Sequence, residues 1–226
     1  MEINSDFSKR AIVHSDRLEW QPSPMPGVER RMLDRIGEEV ARATSIVRYA
    51  PNSNFSAHVH GGGEEFLVLD GVFQDEHGDY PVGSYVRNPP QSSHTPRSDL
   101  GCTIFVKLWQ FDPEDRTEVK LKSNEIEAIT DPNRPGVLIT PLFADHREEV
   151  RLEAWQTNKK VRIKAPQGAE ILVLEGSFFL GGEKFDSRSW LRLPINSRVI
   201  AQAGDQGANV WLKTGHLPYA NRFNQV

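Results

Sequence analysis

One cysteine, Cys102, stands among 226 residues. A single thiol excludes an internal disulfide and every zinc ribbon built on several cysteines, and it fits a reducing, cytoplasmic setting. Long apolar runs are missing too. Phe66–Leu69 and Ile171–Leu174 are four residues each, far short of the ~20 that a membrane helix needs, so no membrane association is expected. The first twenty residues contain no apolar stretch of signal-peptide length. An excess of positive charge is also lacking: 27 Lys+Arg face 31 Asp+Glu, a net charge of −4, which speaks against phosphate-driven binding of nucleic acid. What remains is an ordinary globular composition, 38% hydrophobic and 26% charged, in a length that suits one large domain or two of common size.

Helical periodicity is scarce. Val28–Ala43 is the one helical candidate, but charges dominate it and Gly37 interrupts it, so strands are expected there as well. Short segments rich in β-branched and aromatic residues recur at Phe66–Phe73, Ser84–Val86, Thr103–Trp109, Val137–Thr140, Ile171–Leu180 and Asn209–Lys213, each bounded by Gly, Pro, Asn or Asp. This spacing predicts an all-β chain of the sandwich or small-barrel type.

The sequence repeats itself. Glu65–Phe73 (EFLVLDGVF) matches Glu170–Phe178 (EILVLEGSF) 105 residues later, and Tyr85–Pro89 (YVRNP) lies over Trp190–Pro194 (WLRLP) at the same separation. Thr103–Lys107 lies over Asn209–Lys213 at 106, while Pro26–Val28 and Glu38–Val40 match Pro135–Val137 and Glu148–Val150 at 109 and 110. The drift places about five extra residues in the first copy between Arg48 and Gly63. Ordered matches of this kind predict two copies of one all-β unit, expected at 1–115 and 116–226, with the junction inside the polar stretch Asp112–Arg134.

One set of residues escapes the repetition. The first copy carries His58, His60 and Glu64 around the turn Gly61-Gly62-Gly63, and His94 follows Pro89-Pro90. At the same separation the second copy has Ile163, Ala165, Ala169 and Val199. Residues needed only for the core should have polar counterparts in the second copy, and they do not. In a strand, alternate side chains share a face, so His58 and His60 project together. The glycine turn is expected to bend the backbone and start the next strand at Glu64 beside them. Three imidazoles and a carboxylate suit Zn, Fe(II), Mn or Ni, and the donor types alone do not choose among these.

These residues resemble a known family. His58-x-His60-x3-Glu64-x6-Gly71 fits the first cupin motif and Gly83-x5-Pro89-x4-His94 the second, although Asn52 and Gln91 stand where glycines are usual and Ser98 where an Asn is usual. The runs Gly62–Phe73, Asp75–Pro81, Arg87–Pro90 and Ser93–Thr95 are similar to the cupin domain of ChrR-type anti-sigma factors. The resemblance implies two tandem cupin (double-stranded β-helix, jelly-roll) barrels, a metal-binding one and a degenerate one. It implies zinc on His58, His60, Glu64 and His94, with a sigma factor or other regulatory protein as partner. It also implies a homodimer, since cupins often pair. The sigma-binding module of that family, with its His and Cys-x-x-Cys, has no counterpart here, because Cys102 is the only cysteine.

Two functions compete: a metal-bound regulator of a transcriptional stress response, and a metal-dependent dioxygenase acting on a small-molecule ligand such as a diketone or aromatic ketone. No catalytic residue is assigned beyond the metal ligands. Glu65, Arg87 and Lys107 recur as Glu170, Arg192 and Lys213 and are expected to be structural. Tyr85 is expected in the core, Cys102 as a small buried hydrophobe, and His14, His77, His146 and His216 in solvent.

Overall fold

The computed structural model of the chain describes residues 1–220, and they form two compact units. The first comprises Met1–Ser5 and Leu18–Glu125, the second Asp6–Arg17 and Ile126–Val226 as the chain is divided. Every strand pairing is antiparallel, and three short 3-10 turns are the only helical elements among the described residues. Among the described residues, no helix is long and apolar enough to cross a membrane.

The two main sheets share one strand order. In the first unit, Val28–Gly37, Ala41–Tyr49, Cys102–Leu108, Glu64–Asp75, Ser84–Asn88 and Val119–Lys122 are successive neighbours. In the second, the order runs Val137–Ala144, Glu149–Trp155, Ser197–Thr214, Ala169–Leu180, Ser189–Leu193 and Ala11–His14. Equivalent residues keep their register: Lys107 and Arg87 flank Glu65, as Lys213 and Arg192 flank Glu170. All six are buried. Tyr85 donates its hydroxyl to Glu65 Oε1 at 2.7 Å, and the Trp190 indole N–H reaches Glu170 Oε2 at 3.3 Å. These residues therefore serve the fold in both copies. Removing one partner of such a buried charge row costs about 3–5 kcal/mol, which explains its retention.

The strand closing each order corrects the expected domain limits. Val119–Lys122, which opens the second copy, pairs with Ser84–Asn88 of the first unit, Val119 opposite Arg87. Ala11–His14, near the start of the first copy, pairs with Ser189–Leu193, Ala11 opposite Arg192, whereas Glu2–Ile3 before it pairs with Val28–Gly37. Each copy thus donates one early strand to the sheet of the other, and the division at 115/116 does not hold for residues 6–17 and 116–125. A four-residue strand has no stability alone and settles where a sheet edge offers a ladder of free backbone groups. The stretch Asp112–Arg134 is accordingly no free linker. It supplies Val119–Lys122 to one sheet and Ile129–Thr130 to the other.

Each barrel is filled by alternate side chains. Phe66, Val68, Phe73, Val86, Ile104 and Val106 pack in the first, with Tyr80 and Cys102 among them. Ile171, Val173, Phe178, Leu191, Val210 and Leu212 fill the second. Val28–Gly37 and Ala41–Tyr49 form a hairpin, as the interrupted pattern led one to expect. Cys102 is buried, and burial pushes its thiol up to about 11, with the negative charge of Asp70 acting in the same direction and a Ser98 hydrogen bond opposing it. Two histidines expected in solvent are not there. The His216 ring is buried with Nε2 2.8 Å from Glu170 Oε1, and His14 lies 3.0 Å from Ser189 Oγ and 2.9 Å from Glu183 Oε1.

Candidate metal centre

His58–Val59 and Ser93–His94 form a small two-stranded ladder in the first unit, with His94 directly opposite His58. His60 follows and is pinned through its backbone: its N–H donates to the Ser92 carbonyl and its carbonyl accepts from the Gln91 N–H, both at 2.9 Å. Asn52 and Gln91 hold φ of 60° and 74°, so the left-handed backbone persists where the motif usually has glycine. The glycine turn departs from expectation. Only Gly63 has a positive φ; at Gly61 and Gly62 a Cβ would run into the Trp109 ring. Those two glycines are required by an aromatic side chain lying on the backbone rather than by a sharp bend.

The ladder brings three imidazoles together. Ring centroids lie 5.0 Å apart for His58 and His60, 5.0 Å for His58 and His94, and 4.6 Å for His60 and His94, and one nitrogen from each lies within 4.8 Å of the others. Glu64, at the start of its strand, places Oε2 3.7 Å from Nε2 of both His60 and His94. That separation is too long for a hydrogen bond, and both nitrogens are buried without a hydrogen-bond partner. Orphaned buried nitrogens facing a carboxylate are costly. Donors 3.7 Å apart can, however, each reach one ion at about 2.1 Å, so the three imidazoles, with the Glu64 carboxylate facing two of them, fit a divalent cation. His58 is the exposed member of the set, its Nδ1 3.4 Å from the Ser56 carbonyl.

A supporting layer surrounds them. His94 Nδ1 lies 3.3 Å from Asp75 Oδ2, and Asp75 Oδ1 accepts from Tyr80 at 3.2 Å and from the His77 N–H at 2.8 Å. Asn88 donates its amide to Glu64 Oε2 at 3.1 Å. Burial depresses the His60 pKa; the Glu64 charge partly opposes this, and the neighbouring His94 and His58 add to it. At His94 burial acts in the same direction, but the Asp75 hydrogen bond and the charges of Glu64 and Asp75 outweigh it and raise the pKa. At Asp75 burial acts to raise the pKa, and bonds from His94, the His77 N–H and Tyr80 hold it below the usual carboxylate range.

Asp75, Tyr80 and Asn88 are not legible as site residues from the motif alone, yet the duplication marks them. At the 105-residue separation they become Leu180, Phe185 and Leu193, all buried in the second barrel's core. The ligand positions convert likewise, and the structure places the replacements where the alignment expects them. Ile163 lies opposite Val199 as His58 lies opposite His94, while Ala165 and Ala169 are fully buried.

Residues 8–112 match the family described as the ChrR cupin-like domain. No curated relative matches the sequence significantly. Among solved structures, a Nostoc punctiforme protein provisionally named a dioxygenase is similar at 15% identity, with a TM-score of 0.75 over 93% of this chain and 84% of that one. YlbA from Escherichia coli is 14% identical, with a TM-score of 0.70 over 92% and 91%. The E. coli pirin YhhW, solved with nickel(II), is 14% identical, with a TM-score of 0.65 over 91% and 98%. Likeness at such identities carries the fold. The family match thus spans residues 8–112, and the chain has the all-β fold seen in these cupin structures.

Proposed function

We propose that the first barrel binds one divalent metal ion through His58, His60, Glu64 and His94, with zinc as the resident ion, and that the protein acts as a metal-bound regulator of the ChrR type. The observation carrying the site is the pair of buried, unpartnered Nε2 atoms on His60 and His94 facing Glu64. Four protein donors complete a tetrahedral zinc shell, leaving no position for a substrate, which suits a stable, chemically quiet ion. A sigma factor or other regulatory protein is the partner this reading calls for.

A second reading is favoured by the exposure of His58, which leaves one side of the centre open to a small molecule. On an octahedral Fe(II), Mn or Ni ion the same four donors leave two positions for substrate and O2, the chemistry of a dioxygenase. Elemental analysis of protein purified without added metal separates the two, followed by oxygen uptake with diketone and aromatic ketone substrates after Fe(II) loading. Stoichiometric zinc without turnover in any metal form is the expected result. Substrate-dependent oxygen consumption by the iron form would overturn the regulatory reading.

A further inference from the structure

The second unit contains an open hollow of about 870 Å³. Ile163 and Leu212, members of the barrel core, line its base together with the exposed Ile200. Its charged walls are mostly cationic: Asp131 is the one acid among them, and Arg134, Arg151, Lys159, Lys160, Arg162 and Lys164 border it. Two of these are matched by acids. Arg134 grips Asp131 at 2.5 Å and both oxygens of Glu153 at 2.6 and 3.0 Å. Arg151 reaches Glu153 at 2.7 Å and Glu149 at 2.9 Å. The other four side chains have no carboxylate partner among the described residues.

The sequence builds this arrangement deliberately into one copy. The strand Lys160–Ala165 alternates, with Val161, Ile163 and Ala165 buried and Lys160, Arg162 and Lys164 exposed. At the 105-residue separation the first copy has Asn54, Phe55, Ala57 and Val59 where the second has Lys159, Lys160, Arg162 and Lys164. The inward positions lose metal donors while the outward ones gain cations. Charge along an exposed edge strand guards against edge-to-edge pairing, and that accounts for lysines on this strand taken alone. It does not account for Lys159 and Arg134 converging on the same hollow from other segments. Like charges lining a concavity focus a positive field and concentrate anions, and the chain's net charge of −4 makes the local surplus stand out.

We propose that this hollow of the second unit is an anion-binding site for a small molecule carrying a phosphate or paired carboxylates, its charged end held by Lys159, Lys160, Arg162 and Lys164 and its apolar remainder resting on Ile200, which lies opposite Arg162 on the exposed face. The degenerate barrel is then a ligand-reading module rather than a filler.

Isothermal titration of the full chain with inorganic phosphate and, separately, with citrate at constant ionic strength tests this. Saturable binding of at least one is expected, and which of them binds distinguishes phosphate from polycarboxylate ligands. Replacing Arg162→Ala and Lys164→Ala together should weaken it tenfold or more with an unchanged melting temperature. Arg97→Ala in the first unit, where Arg97 already pairs with Asp99 at 2.9 Å, should leave it unaltered. Absence of saturable binding by either anion, or equal affinity in the double variant, overturns the proposal. Metal content of the same samples reports the first barrel separately, so failure here is distinguishable from failure of the metal-centre reading.

Discussion

The carboxylate of Asp75 lies 3.3 Å from Nδ1 of His94, on the far side of the ring from Glu64, whose Oε2 faces Nε2 at 3.7 Å. An imidazole held this way presents Nε2 as the donor atom and keeps its ring plane fixed. Asp75 is itself anchored by Tyr80 and the His77 N–H, so it rigidly positions the His94 ring proposed as a metal ligand.

Asp75→Asn retains the shape and removes the charge, and the expected consequence is a loss of metal affinity of about 10–100-fold, typical of supporting partners to ligand histidines. Competition against a chromophoric chelator measures it. Unchanged affinity would show that the carboxylate orients nothing.

The two barrels should respond oppositely to loss of the paired ladder positions. His94→Ala or Glu64→Gln is expected to strip most of the metal, whereas Val199→Ala leaves metal content intact and costs only about 1 kcal/mol of packing. Elemental analysis beside thermal melting reads both. Equal metal loss from the two substitutions would contradict the asymmetry.

Much of this architecture was legible because the copies check one another. Gly71 and Gly176 both hold a positive φ, and a Cβ on either would meet the carbonyl oxygen of Gly101 or Gly207 on the neighbouring segment; a shared steric demand preserved the motif. Three features escaped for physical reasons. Ala41–Tyr49, Glu149–Trp155 and Lys160–Ala165 interleave Arg, Lys or Glu with their apolar positions, and the charges mask the alternation. The exchange of Ala11–His14 and Val119–Lys122 is invisible because strand pairing is decided by which edge is open, and a four-residue segment does not encode that. His216 reads as a polar, terminal residue, yet its ring meets Glu170, 46 residues away in sequence.

Strand exchange makes a counterintuitive mutational prediction. Leu121 is half-buried opposite Tyr85, so Leu121→Asp, although it lies in the second sequence copy, should destabilise the metal-bearing barrel by about 2 kcal/mol and lower metal retention. Ile12, packed against the second barrel's core, should do the reverse: Ile12→Asp weakens the second unit and spares the metal. Calorimetry with elemental analysis distinguishes the two, and metal loss from Ile12→Asp alone would refute the exchange.

Cys102 should be chemically inert in the folded protein. With its pKa pushed up to about 11, roughly 0.1% of the thiol is ionised at pH 8, against about 10% for a thiol at its ordinary value near 9. Alkylation by iodoacetamide at pH 8 is expected to be at least 100-fold slower than in urea-denatured protein, because burial adds to the ionisation effect. Comparable rates in the two states would show that the thiol is accessible.

The acid cluster beneath the cationic hollow sets a pH limit on the second unit. Burial acts to raise the Glu153 pKa, but hydrogen bonds from Arg134 and Trp155 and the charges of Arg151 and Arg134 hold it below its ordinary 4.5. Asp131 is likewise held below 3.8, its burial outweighed by bonds from the Asn133 N–H and Arg134. Carboxylates depressed in the folded state bind fewer protons there than when unfolded, so stability rises with pH through this range. The contribution is complete above about pH 4.5 and is lost as the pH falls below it. Urea unfolding between pH 7 and 3.5 should therefore show a falling midpoint. Glu153→Gln should lower stability at pH 7, because Arg134 and Arg151 lose their shared carboxylate, while flattening the acid side of the curve. A variant whose pH profile ran parallel to the parent protein's would place the acid-sensitive groups elsewhere.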